Sequence, residues 1–274
     1  MTTHERPAGP DDVTGTAPAP APGAGADGDA GADARGVPAT VVADPARLAD
    51  TVELLGLVAQ LEQVAFARLA ADSAVAPTTD QRLQLSRFAA AAITRRDAVL
   101  ARIVELGADP VAAIGQFDHV LDDFDARTQP SSWWERLLKA YVGYGVADDF
   151  CRLAADALDE ESRRVVLAVL DDAAHAELAV AELDAAGADD GVLSARLALW
   201  GRRLVGEALG VVQRLLVQRP GLARLVAPSD AAPAPAVADQ QASGVAAPAN
   251  PPTKVFGELT AQHTRRMSRL GLTA

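Results

Sequence analysis

Residues 160–186 read EESRRVVLAVLDDAAHAELAVAELDAA. Apolar side chains recur at helical spacing, through Val165, Val169, Ala176, Ala179 and Leu183. Such a stripe is the buried face of a helix packed on other helices. Asp172 and His175 interrupt it near its middle, on the same face. Gly187 follows as a stop. The neighbouring segments repeat the pattern. Asp44-Pro45, an N-cap followed by proline, opens a helix to about Ala71, and Pro77 blocks its continuation. A second runs from Thr79 to Leu106, with Gly107 as stop and Pro110 beyond. A short helix, 117–126, lies in the connection that follows. Ser132-Trp133-Trp134-Glu135 has capping-box spacing and opens a third long helix to about Leu158. The fifth covers 192–219 and ends at Pro220. Long helices, short turns and one longer connection predict a helical bundle.

Composition agrees. Of 274 residues, 49% are hydrophobic but only 4% aromatic, which suits an Ala/Leu/Val helical core and not a β-sandwich or barrel. One cysteine, Cys151, excludes an internal disulfide framework and any Cys-rich metal cluster. The net charge of -12 counts against a protein whose main task is to grip DNA. Residues 45–225 carry -8 of it, so the acidity belongs to the core as well as to the flanks. The N-terminus shows no secretory signal, and no uninterrupted apolar run reaches about 18 residues. The expectation is a cytoplasmic location with no membrane. Two stretches rich in Pro, Ala and Gly, 1–43 and 227–252, read as a disordered arm and a disordered linker. Residues 253–274 read as an amphipathic tail helix. Its apolar positions Val255, Phe256, Leu259, Met267 and Leu270 predict packing on the bundle.

Polar residues fall mid-stripe on four helices. Glu62 follows Leu55 and Val58 in the first, and Arg96 follows Leu85, Ala89 and Ile93 in the second. Tyr141, Tyr144 and Asp148 lie on the third, and Asp172 and His175 on the fourth. In an up-down bundle these levels coincide. Buried charges are costly unless paired or bound to metal. The carboxylate-x-x-His spacing of Asp172 and His175 is the one used in di-metal carboxylate bundles.

Several further strings carry a family resemblance. They are Leu54-Leu55-Gly56, Phe66-Ala67-Arg68-Leu69-Ala70, Glu105-Leu106-Gly107-Ala108-Asp109-Pro110, Lys139-Ala140-Tyr141-Val142-Gly143 and His175-Ala176-Glu177. The most specific is Leu199-Trp200-Gly201-Arg202-Arg203-Leu204-Val205-Gly206-Glu207-Ala208-Leu209, and His263-Thr264-Arg265-Arg266-Met267 follows in the tail. Together they resemble the actinobacterial ferritin-like proteins grouped as MiaE-like, after a tRNA hydroxylase with a non-haem di-iron centre. The resemblance implies an all-α, ferritin-like four-helix bundle over 44–226, with an added fifth helix and the tail helix. It implies a di-metal site to which Glu62, Asp172 and His175 correspond. The second helix departs, with Ile93-Thr94-Arg95-Arg96 where Glu-x-x-His is expected. The third has Tyr144 where an acid is expected, and Asp148 one turn away could take its place.

The departures lead to a specific expectation: Arg96 replaces metal and pairs with Glu62 and Asp172, since Arg keeps its charge when buried. The cofactor is then none, or a single divalent iron or manganese ion held by Glu62, Asp172 and His175, with Asp148. The function expected is a degenerate, non-catalytic ferritin-like domain with a structural or partner-binding role; the alternative is a di-iron hydroxylase or oxidase acting on tRNA or another substrate. His175 also reads as a core histidine bonded to Tyr141 or Tyr144. His119 beside Asp118, Asp122 and Asp123 reads as a solvated loop, Cys151 as a small core residue, and His263 as a surface residue of the tail. Arg196, Arg202, Arg203, Arg214 and Arg219, with Arg265, Arg266 and Arg269, read as salt-bridging faces before they read as a tRNA surface. A homodimer is the partner that a bundle of this kind leaves open.

Overall fold

In a computed structural model, which describes residues 44–171, 174–227 and 253–274, every regular element is helical. The expected arm 1–43 and nearly all of the expected linker lie outside these residues, as does Asp172. The bundle opens with α1 (Pro45–Val75) and α2 (Thr79–Glu105). Asp44 caps α1 by accepting from the Ala46 N–H at 3.0 Å. Thr78 and Gln81 form a full capping box on α2, at 3.2 and 3.1 Å. Gly107, at φ 78°, turns the chain out of α2, which frees Ala108 N–H to reach the Ile103 carbonyl at 3.1 Å.

The single short helix expected at 117–126 is instead two, α3 (Pro110–Gly115) and α4 (Asp122–Arg127). Pro110 opens α3 behind its cap Asp109, a signal that the sequence does carry. The expected third helix is also broken into pieces. These are α5 (Trp133–Leu138), a π-helical turn (Lys139–Gly143) and α6 (Gly145–Ala155). Ser132 caps α5 as its spacing suggests, but the Glu135 carboxylate turns back to Ser131, at 2.6 Å from its N–H. The π turn is closed by Tyr144 N–H reaching the Lys139 carbonyl at 3.2 Å. It adds one residue to the turn and changes which side chains downstream face inward.

The expected fourth helix is described as α7 (Glu160–Leu170) and α8 (Ala174–Asp189). Gly187 does not stop α8. The stop is Asp190, which instead caps α9 (Gly191–Gln218) through the N–H groups of Val192 and Leu193, both at 2.9 Å. Pro220 ends α9 by opening α10 (Pro220–Leu225). Leu54, Leu55, Leu57 and Val58 of α1 meet Val99 and Ile103 of α2, Leu138 and Phe150 of the third layer, and Leu204 of α9, all buried. By length and composition α1 would also pass for a membrane-crossing helix; its apolar face is this core.

The tail helix α11 (Thr253–Arg269) packs on α6 and α9. Val255, Leu259, Met267 and Leu270 are buried as their spacing suggests. His263, expected at the surface, is 3% exposed. It continues the same four-residue spacing from Val255 and Leu259 to Met267. Two glycines admit the helix: a Cβ on Gly145 would meet Arg266, and one on Gly201 would meet the Met267 thioether. Arg266 forms a bidentate pair with Asp149, one arm at 2.7 Å, both side chains largely buried.

Two changes test this packing. A chain truncated after Ser229 strands Asp149 without its guanidinium and uncovers the α6–α9 groove; its Tm falls by more than about 5 °C. Gly56→Ala drives a Cβ into the Ala113 carbonyl at the α1–α3 crossing. Urea unfolding then reports a loss of about 1–3 kcal/mol.

Candidate functional site

Where the helices meet at mid-height, a cavity of about 100 Å³ lies between α1, α2, the π turn, α6, α7 and α8. Its polar wall is Glu62 and Arg68 from α1, Arg95 from α2, Tyr144 and Asp148 from the third layer, and His175 from α8. Leu61, Ala65, Leu69, Ala140, Val169 and Leu170 supply the apolar remainder. The structure thus brings together Glu62, Tyr144, Asp148 and His175, four of the residues expected to converge. Asp172 lies outside the described residues.

The inward guanidinium is Arg95 and not Arg96. Arg95 donates to Glu62 Oε2 from Nε at 2.9 Å, and its Nη2 lies 2.9 Å from the same oxygen, with both side chains mostly buried. Arg96 turns to the outer side, donating to Gln63 at 2.6 Å and to Asp97 at 2.7 and 2.9 Å. Ala92 and Val99 are fully buried and seven residues apart, so positions 95 and 96 straddle the buried line equally. The spacing alone does not choose between them; the carboxylate of Glu62 does.

Tyr144 does not bond to His175. Its hydroxyl donates to Asp125 at 2.7 Å, an oxygen that also receives Lys139 Nζ at 2.7 Å. Desolvation, together with the Asp125 charge, pushes the Tyr144 hydroxyl well above the usual phenol range. His175 meets the edge of Phe88, with ring centroids 6.1 Å apart. Desolvation and the charges of Arg68 and Arg95 push its pKa down to about 3, so it is neutral. The expected bond from His175 to a tyrosine hydroxyl is not formed among the described residues; its neighbour is the Phe88 ring.

Asp148 borders the cavity from α6 and keeps part of its surface open. Desolvation raises its pKa to about 6 against the pull of Arg266, Arg68 and Arg152, and the nearby Asp149 adds to the rise.

Arg68 is the residue that the spacing arguments passed over. It follows Leu61 and Ala65 at helical intervals, which was signal enough to place it inward. Its guanidinium lies over the Tyr144 ring, 4.7 Å from the centroid.

On α2, where the di-metal pattern has Glu-x-x-His, the chain has Ile93-Thr94-Arg95-Arg96, and Arg95 is paired with Glu62. Among the described residues no three His, Cys, Asp or Glu side chains are grouped to share an ion. Elsewhere the simpler readings hold. His119 bonds to Asp122 at 2.8 Å in open solvent, and Cys151 is a fully buried core thiol.

The family model for the ferritin-like domain of actinomycetes matches residues 46–229. The chain belongs to this family. No curated protein matches it. The matched span runs from the start of α1 past the end of α10, and so contains every wall of the cavity.

Two measurements follow. Arg95→Ala leaves the Glu62 carboxylate buried with a lost partner and costs about 2–4 kcal/mol, reduced from the fully buried case by partial exposure. Arg96→Ala, which loses the bond to Gln63 but strands no buried charge, costs less, about 0.5–1.5 kcal/mol. For pH, a histidine with a lowered folded pKa binds its proton mainly in the unfolded chain, so stability is lost as pH falls from the ordinary 6.5 toward about 3. Asp148, with a raised pKa, works oppositely: its contribution is lost as pH rises from the ordinary 3.8 through about 6. Urea titrations across pH therefore show His175→Gln less sensitive to acid than the parent, and Asp148→Asn more stable than the parent at pH 7.5.

Proposed function

We propose that this ferritin-like domain is non-catalytic, with an arginine–carboxylate pair holding the place of the di-metal centre, and that it serves a structural or partner-binding role. The Arg95–Glu62 pair carries this reading. A guanidinium cannot lose its proton to make way for a cation, and its planar fork fits a carboxylate. Tyr144 supports the same reading, since it stands where the MiaE-like pattern has an acid and spends its hydroxyl on Asp125.

The hydroxylase alternative, a di-iron enzyme of the MiaE-like class acting on tRNA, draws its support from the polar cavity with Asp148 and His175 on its wall. Against a tRNA surface stand the partners of the basic residues. Arg196 pairs with Glu135 at 3.5 Å, Arg214 with Asp123 at 3.7 Å and Arg219 with Glu53 at 3.8 Å. Arg202 and Arg203 donate to the Thr273 and Arg127 carbonyls at 2.9 and 2.6 Å. Charges already answered by carboxylates have less to give to phosphate.

Metal analysis of the full chain purified without chelator, followed by oxygen uptake on adding ferrous iron, tests the proposal. The expected result is metal far below one ion per chain and no uptake above buffer. Two iron or manganese ions per chain, the complement of an intact site, would sink it.

A further inference from the structure

Arg68 is a buried cation short of acceptors. Its Nε and Nη1 are buried without a hydrogen-bond partner. Its ion pair with Asp72 is a loose 3.8 Å, and Asp72 is held more closely by Arg136, at 3.0 Å. Unsatisfied donors are uncommon in a folded interior, and each calls for an explanation.

The surroundings narrow the choice. Arg68 and Tyr144 line both the inner cavity and an outer groove of about 300 Å³, bordered by Asp72, Asp125, Arg136 and Lys139. These two side chains are the partition between groove and cavity. Inside, His175 has no hydrogen-bond partner among the described residues, and the wall beside it is the aliphatic surface of Leu61, Leu69, Val169 and Leu170. The space of about 100 Å³ is smaller than the cavity of about 150 Å³ that takes benzene. A ligand that fits has few atoms, an acceptor end for a guanidinium and an apolar end for the aliphatic wall.

We propose that the cavity binds a short-chain monocarboxylate, its carboxylate against Arg68 and its alkyl end against Val169 and Leu170, admitted from the outer groove past Tyr144. The inference rests on the metal-free reading of the site. A carboxylate gives the Arg68 fork a planar partner that the 3.8 Å pair with Asp72 does not supply. Asp148, on the same wall, adds a negative charge that limits affinity and selects against more highly charged anions.

The test is calorimetric titration of the full chain, its metal content measured first, with sodium acetate, sodium propionate and sodium nitrate, against sodium chloride at equal ionic strength. Acetate and propionate bind saturably, with Kd about 1 mM. Arg68→Gln weakens binding at least about tenfold. Val169→Phe fills the cavity while leaving Arg68 in place, and abolishes binding; should either variant fail to fold, the other decides. Asp148→Asn tightens binding by removing the opposing charge. No saturable binding to metal-free protein up to about 50 mM overturns this inference alone, as does unchanged affinity in Arg68→Gln or Val169→Phe. Nitrate binding as tightly as propionate overturns the assignment to a monocarboxylate. Binding that vanishes when a chelator strips metal from the protein overturns the metal-free reading, and this inference with it.

Discussion

The Arg95–Glu62 ion pair sets the terms for the middle of this bundle. Two opposite charges drawn from neighbouring helices into a poorly solvated interior must stay close, since either alone would carry the full desolvation cost. That requirement ties α1 to α2 at one level and determines what its neighbours can do. His175 is kept neutral first by desolvation and then by the charges of Arg68 and Arg95. Glu62 has one carboxylate oxygen engaged by the guanidinium. A bundle that carries metal cations at this level is held together by its ligands. Here a side chain of the protein itself supplies positive charge at that level.

Much of the fold was legible because its signals are local. Asp44-Pro45 and Gly107 each act within one turn of chain, and each does in the structure what its chemistry suggests. The breaks were harder to read. The π turn at Lys139–Gly143 contains no proline that would announce it. Gly187 looked like a stop, yet the stronger signal was the side-chain oxygen of Asp190, which two N–H groups at the start of α9 require. His263 was legible in principle, four residues from Leu259 and from Met267, but polarity was allowed to outweigh spacing.

The candidate site was legible as a location and less so as a set of contacts. Glu62, Tyr144, Asp148 and His175 meet at one cavity because mid-helix positions of a bundle share a level. Which of two adjacent arginines turns inward is a different kind of question. It depends on a carboxylate 33 positions away in the chain, so no local rule answers it. Arg68 shows the same limit. Its inward placement follows from periodicity, but its shortage of acceptors emerges only when every neighbouring oxygen has been located.

The docking of α11 bears on the order of events as the chain is made. The groove on α6 and α9, with Gly145, Gly201 and the Asp149 carboxylate, is complete before the segment that fills it has left the ribosome. Until that segment emerges, the groove is open and Asp149 lacks Arg266. Closing it is a late, long-range step, of the kind that contributes little to a folding nucleus. Contacts formed after the rate-limiting step act mainly by slowing escape from the native state. The tail thus works as a kinetic fastener, setting how long the assembled bundle lasts more than how fast it forms.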